Sequence, residues 1–328
     1  MPNPSALTFG FELEYASNAR RVVELLYAQG VTKQDHLHRY HCDCNSCAVS
    51  PGEVYSERTG GYIMRQPADI HCQTDSTADG EFISRILNDW DDLARIAAAL
   101  TAAATAADAT TSFRCGLHVH VGGFPSDARV APNYLAFERY FTEIIAPGRA
   151  QQKRDMNSTL MQSYRQYVAD GYTVRHTDAW KDVGRAQINA DLLGAIGRDR
   201  HVDLNFSRNN QTWEFRVFNA TNAAWRIELA CRLAVAFVAA TPALSELIET
   251  AVRGSDLWPA GCDSPWGEIA RPAWSALTGP HPTKRPIVPM QAFVDALCAV
   301  DPDLVPLIER QINYMRARYA AQVEFATV

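Results

Sequence analysis

Glu12 and Glu14, His118 and His120, and Glu214 and Arg216 are three pairs of reactive residues, each pair separated by a single position. In an extended strand, residues two apart share a face, so each pair would present its two groups side by side. The intervening positions are apolar: Leu7, Phe9, Phe11, Leu13 and Tyr15 alternate with the glutamates, and Val202, Leu204 and Phe206 alternate with His201, Asp203 and Asn205. A strand face that merely meets water is expected to carry Thr, Lys, Ser and Gln, whereas Glu and Asp are depleted in strands. Two carboxylates on one strand repel, and a cation offsets that repulsion. Magnesium or manganese fits, because hard cations take oxygen ligands. Glu12, Glu14, Glu81 and Glu214 supply oxygen for two such ions, with one of the histidines as a nitrogen ligand. Arg216 beside bound metal would suit a phosphoryl group in transfer, a reaction catalysed mainly by positioning and charge stabilisation. Singly, each pair is an ordinary solvated strand face or a surface ion pair worth under about 1 kcal/mol. Their coincidence on otherwise apolar strands is what points to a site and to nucleotide chemistry.

The elements that must carry these residues can be read from periodicity. Leu7–Tyr15, Phe113–Val121, His201–Ser207 and Thr212–Asn219 read as strands, the last two forming a hairpin across Arg208–Gln211. Asp79-Gly80-Glu81 is a turn feeding a short strand, and His71-Cys72 lies in an extended segment leading to Asp75. Helices are expected at Asn18–Gln29, Asp89–Ala107, Tyr134–Ile145, Asn222–Arg253 with a break near Thr241-Pro242, Met290–Ala299 and Leu304–Ala321. Hairpins and glycine turns favour an antiparallel sheet, so the expected fold is α+β: helices cover the apolar face of a curved sheet, and the other face forms a trough. Residues 1–250 would form the catalytic domain, with a cysteine-rich inserted loop at about 36–72, and residues 251–328 a helical extension packed on it. Gln151–Asp199 and Gly254–Pro289 are weakly patterned.

A net charge of −6 with scattered Lys and Arg gives no reason to expect nucleic acid as a partner. The start of the chain, Met1-Pro2-Asn3-Pro4, lacks the basic and apolar regions of a secretory signal, and the longest apolar run, Leu233–Pro242, is too short to span a bilayer. A soluble, cytoplasmic protein is expected. The 8 cysteines then read as thiols or metal ligands rather than disulfides. Cys42, Cys44, Cys47 and Cys72 offer four thiolates for a tetrahedral structural zinc that would staple the loop, although the spacing equally suits reduced surface thiols.

The segments Phe9-Gly10-Phe11-Glu12-Leu13-Glu14, Asp79-Gly80-Glu81-Phe82, Cys115-Gly116-Leu117-His118-Val119-His120-Val121 and Thr212-Trp213-Glu214-Phe215-Arg216-Val217-Phe218-Asn219 resemble, in order, the motif series of the amidoligases. These are carboxylate–amine ligases related to glutamine synthetase and γ-glutamylcysteine ligase. The resemblance covers roughly residues 7 to 240 and implies a glutamine-synthetase-like catalytic sheet. It further implies that Glu12, Glu14, Glu81 and Glu214 ligate two magnesium ions, that His118 joins the metal site by the γ-phosphate, and that His120 lies near the nucleotide phosphates. Arg216 would stabilise the phosphoryl group in flight, with Glu12 and Glu81 also in the catalytic centre, and Arg208 and Asn205 would contact phosphate or substrate. The implied reaction uses ATP to activate a carboxylate as an acyl phosphate, which an amine attacks; the acceptors would be amino acids, peptides or related small molecules. A metal-dependent hydrolase could use the same carboxylates and histidines to activate water, and a nucleotide-binding scaffold could retain them without turnover.

Overall fold

A computed structural model describes residues 7–38, 52–56, 61–65, 68–75, 78–112, 114–123, 204–207, 212–253 and 288–325, together with Val130, Asn133, Tyr134, Phe137, Tyr140 and Phe141. Its strands are β1 (Thr8–Tyr15), β2 (Gly52–Ser56), β3 (Gly61–Arg65), β4 (Ile70–Gln73), β5 (Gly80–Ser84), β6 (Gly116–Gly122), β7 (Leu204–Ser207) and β8 (Thr212–Asn219). Six of them form one sheet in the order β4-β5-β1-β6-β8-β7, and every neighbouring pair is antiparallel. β2 and β3 pair separately, so the region read as an inserted loop contains a two-stranded ribbon. The fold is α+β.

Alternation builds the core. Phe9, Phe11, Leu13 and Tyr15 of β1 point with Leu117, Val119 and Val121 of β6 and Phe82 of β5 into a single buried cluster. Helices α1 (Ala19–Ala28), α2 (Trp90–Ala106), α3 (Ala224–Ala239), α4 (Thr241–Arg253), α5 (Met290–Cys298) and α6 (Leu304–Phe325) pack their apolar residues into the same cluster, as do β4, β7 and β8. The six described positions between 130 and 141 are helical and buried, at the three- and four-residue spacing of one helix face. Phe137 stacks on Phe293 of α5 at 4.9 Å. α3 and α4 are bent by 68° at the expected break, where Pro242 cannot donate a backbone hydrogen bond. Among the described residues no single helix is long and apolar enough to cross a membrane.

Two local devices matter for what lies on the opposite face. Asp79 accepts a hydrogen bond from the Ala19 N–H at 2.8 Å, placing a carboxylate at the positive end of α1. Gly80 follows because the approach is close: a Cβ there would come within 2.6 Å of the Ala19 Cβ. The Asp-Gly pair thus docks helix against strand, and the next residue is Glu81. The second device is a β-bulge. Leu117 pairs with Phe218 and Val119 with Phe215, so Arg216 and Val217 together stand opposite His118. A strict two-residue period would leave Phe218 on the same face as Glu214 and Arg216. The bulge returns it to the core, fully buried near Phe141.

Candidate metal and phosphate site

The polar face is assembled by register. Glu12 of β1 lies opposite His118 of β6, His120 lies opposite Glu214 of β8, and Glu14 lies opposite Glu81 of β5. Antiparallel partners point the same way. Seven reactive side chains expected from the sequence (Glu12, Glu14, Glu81, His118, His120, Glu214 and Arg216) therefore meet on the four central strands.

Their contacts fall into two groups. Glu12 bridges both imidazoles, with Oε2 at 3.1 Å from His118 Nδ1 and Oε1 at 3.1 Å from His120 Nε2. Glu214 Oε1 is 4.0 Å from each of the same two nitrogens and pairs with the Arg216 guanidinium. Across the sheet, Glu14 Oε1 is 3.9 Å from His118 Nε2, while its Oε2 accepts a hydrogen bond from the Gly116 N–H at 2.6 Å. Glu12, His118 and Glu214 each offer one ligand atom, all within 4.8 Å of one another, and so do Glu14, Glu81 and His118. His118 belongs to both groups.

The electrostatics differ across the face. Burial opposes the charge on Glu12, but His120 and His118 outweigh it and hold the carboxyl well below its usual range. At Glu214 burial again opposes ionisation, and His120 and Arg216 overcome it. Burial works against the His120 cation, yet Glu12 and Glu214 raise its value. Glu81 goes the other way: burial, then the charges of Glu12 and Glu14, push it up to about 8, against the hydrogen bond it receives from Gln73. A cation held beside these oxygens would offset both the burial and the repulsion that oppose the charge on Glu81.

Glu81 gives a direct test in metal-free protein. A carboxyl raised in the fold stabilises the native state fully below its unfolded value of 4.5, and that contribution is lost as pH rises through about 8. In chelator-treated protein, wild-type stability measured against Glu81→Gln should fall across that interval, by on the order of a few kcal/mol in all. Urea unfolding at a series of pH values reads the difference directly. A flat difference would show that Glu81 ionises as an ordinary carboxylate.

The remaining expected residues are placed less centrally. Asn205 stands opposite Glu214 in the β7–β8 register. Arg208, Cys42, Cys44 and Cys47 lie outside the described residues, as does all of Gln151–Asp199. Cys72 is on the far side of the sheet: it pairs with Phe82, lies wholly within the apolar core, and burial pushes its thiol up to about 12. The other three cysteines of that expected set lie outside the described residues. Three neutral contacts were not foreseen. Thr212 Oγ1 is 3.3 Å from His120 Nδ1, Gln73 donates to Glu81 at 2.7 Å, and His71 lies 3.3 Å from Gln73. Gln and Thr are common strand residues, so spacing alone gave them no distinction.

The sequence model of a protein family described as "Putative amidoligase enzyme" matches residues 5–238 of the chain. That span contains every strand and most of α3. Comparison with curated proteins returned no match.

Proposed function

From the premise that this chain belongs to the amidoligase family, we propose that it is an ATP- and magnesium-dependent ligase that joins a carboxylate to an amine through an acyl phosphate. The observation that carries this reading is the pair of carboxylate–imidazole groups sharing His118, with Arg216 bound to Glu214 at one of them. The donor set fits magnesium or manganese, being rich in carboxylate oxygen. Bound there, such ions would supply positive charge to neutralise the phosphates of ATP.

The chain's own residues then have definable roles. Glu12, Glu214 and His118 would hold one ion, and Glu14 and Glu81, with His118 at hand, would hold the other. The Gly116 N–H fixes the rotation of Glu14 through its bond to Oε2. Arg216, a quarter exposed, can shift its guanidinium from Glu214 to a phosphoryl oxygen. His120, raised in basicity by Glu12, is suited to donate hydrogen bonds to phosphate. Asn205 and Arg208 would add contacts to phosphate or substrate. We place the reaction in a trough on this face of the sheet, as in glutamine synthetase, where exclusion of water would protect the acyl phosphate. The C–O–P link formed from the carboxylate is broken when the amine attacks the carbonyl carbon, releasing inorganic phosphate and forming the amide.

A two-part assay tests this. Incubation with Mg-ATP and a pool of amino acids and peptides should release ADP and phosphate in equal amounts. With the amine replaced by hydroxylamine, the activated carboxylate should appear as a hydroxamate. A metal-dependent hydrolase would instead act on its substrate without consuming ATP, and a scaffold would bind ATP without turnover.

A further inference from the structure

We propose that Gln73 is a positioning residue for Glu81, held in its working orientation by His71. The inference rests on the metal-binding reading of Glu81 given above. Strand β4 forms the edge of the main sheet, and its register sets Gln73 opposite Glu81 and His71 opposite Ile83, with Cys72 between them turned to the core. Gln73 is 6% exposed, His71 5% and Glu81 6%. Little water reaches these three polar side chains, and the hydrogen bonds between them can be assigned from chemistry.

The Gln73 amide nitrogen lies 2.7 Å from Glu81 Oε2 and donates to it, and once Glu81 is ionised beside a cation that oxygen can only accept. The amide oxygen of Gln73 then faces His71, and the imidazole Nε2 at 3.3 Å must carry the proton it receives. The other ring nitrogen, His71 Nδ1, is buried and has no hydrogen-bond partner among the described residues. A cationic ring would bury an N–H there with nothing to accept it. Burial and the neighbouring His38 both disfavour the cation. His71 is thus a neutral ring whose single proton is committed to Gln73.

This direction of bonding has a consequence for the carboxylate. A glutamine amide is free to turn over, and either face of it would fit the cavity by shape alone. His71 removes that freedom by requiring an acceptor, which leaves the NH2 end aimed at Glu81. Glu81 is then anchored through Oε2, and its remaining lone pairs are directed toward Glu14 and His118, the other members of its group. Partners that orient a metal ligand in this way commonly contribute about 10–100-fold to metal affinity.

The test is a Mn2+ titration of the full chain, followed by electron paramagnetic resonance and calorimetry without nucleotide. Wild type should bind at two sites. Gln73→Met keeps side-chain length but removes both bonds, and it should weaken one site by about 10–100-fold while leaving the other unchanged. Gln73→Asn, which keeps the amide but falls short of Glu81, should do the same and guards against a folding failure in the first variant. His71→Phe, which frees the amide to turn, should weaken that same site by a smaller factor. Unaltered two-site binding in both Gln73 variants, or equal loss at both sites, would overturn the inference. Failure of the wild type to bind Mn2+ at all would instead remove the metal reading on which it stands.

Discussion

Replacing Glu214 with Gln should reduce ATP turnover to about a thousandth or less while the protein still folds. The substitution preserves volume, so the packing around a side chain only 8% exposed is retained. What it removes is charge at the point where three groups converge: Glu214 Oε1 pairs with Arg216 and stands 4.0 Å from both His118 Nδ1 and His120 Nε2. Loss of that charge strips one anionic ligand from the Glu12–His118–Glu214 group and releases Arg216 from its resting partner. Some stability should go with the charge, because pairing with His120 and Arg216 outweighs repulsion from Glu12, but the retained volume should keep the protein folded. Arg216, a quarter exposed, also has solvent within reach. ADP release measured beside Mn2+ binding separates the outcomes: turnover should vanish and one metal site should weaken together. Turnover at the wild-type rate would sink the assignment of Glu214 as a ligand.

Arg232→Met should produce the largest loss of stability, roughly 3–5 kcal/mol, although Arg232 belongs to no reactive group. Its side chain is 7% exposed, donates to Glu228 at 2.9 Å and to both oxygens of Asp301 at 3.0 Å, and lies 4.4 Å from the centre of the Trp90 ring. Trp90 in turn stacks on Phe9 of β1 at 4.4 Å. Removing the guanidinium leaves Asp301, 13% exposed, without its cation, and that uncompensated charge is the main cost. The double variant Arg232→Met with Asp301→Asn should recover much of the loss in urea unfolding. Absence of any recovery would mean that packing on Trp90, rather than charge, dominates. Because Asp301 lies beyond the family-matched span of 5–238, the same ion pair ties the C-terminal helices to the strand that carries Glu12 and Glu14.

The difference between these two arginines also marks what could be read from sequence. Glu12, Glu14, His118, His120, Glu214 and Arg216 announced themselves by parity, because charged residues alternating with Phe, Leu and Val are hard to explain as a wet face. The α1, α2, α5 and α6 helices, and the break before Pro242, followed from periodicity to within a few residues. Arg232 did not stand out: with Glu228 it makes an ordinary i,i+4 helix pair, and its other carboxylate partner, Asp301, is 69 positions away. The bulge at Arg216 and Val217 was equally hidden. It depends on how β8 meets β6, a non-local pairing, and the only trace in the sequence is Phe218 falling out of phase. The β2–β3 ribbon was obscured by the surrounding cysteines and histidines, which drew attention to metal chemistry instead of alternation. Gln73 and its contacts with Glu81 and His71 were missed for a related reason, as the edge strand carrying them is just four residues long.

His118 faces Glu12 through Nδ1 and Glu14 through Nε2. A neutral imidazole has a single lone pair to give, because its other nitrogen carries a proton. Whatever cations the two groups hold, the ring can complete the coordination of one of them and can only hydrogen-bond to the surroundings of the other. Sharing is therefore a matter of valence as well as position, and it would make two such centres unequal from the outset, since only one of them could take a nitrogen from His118.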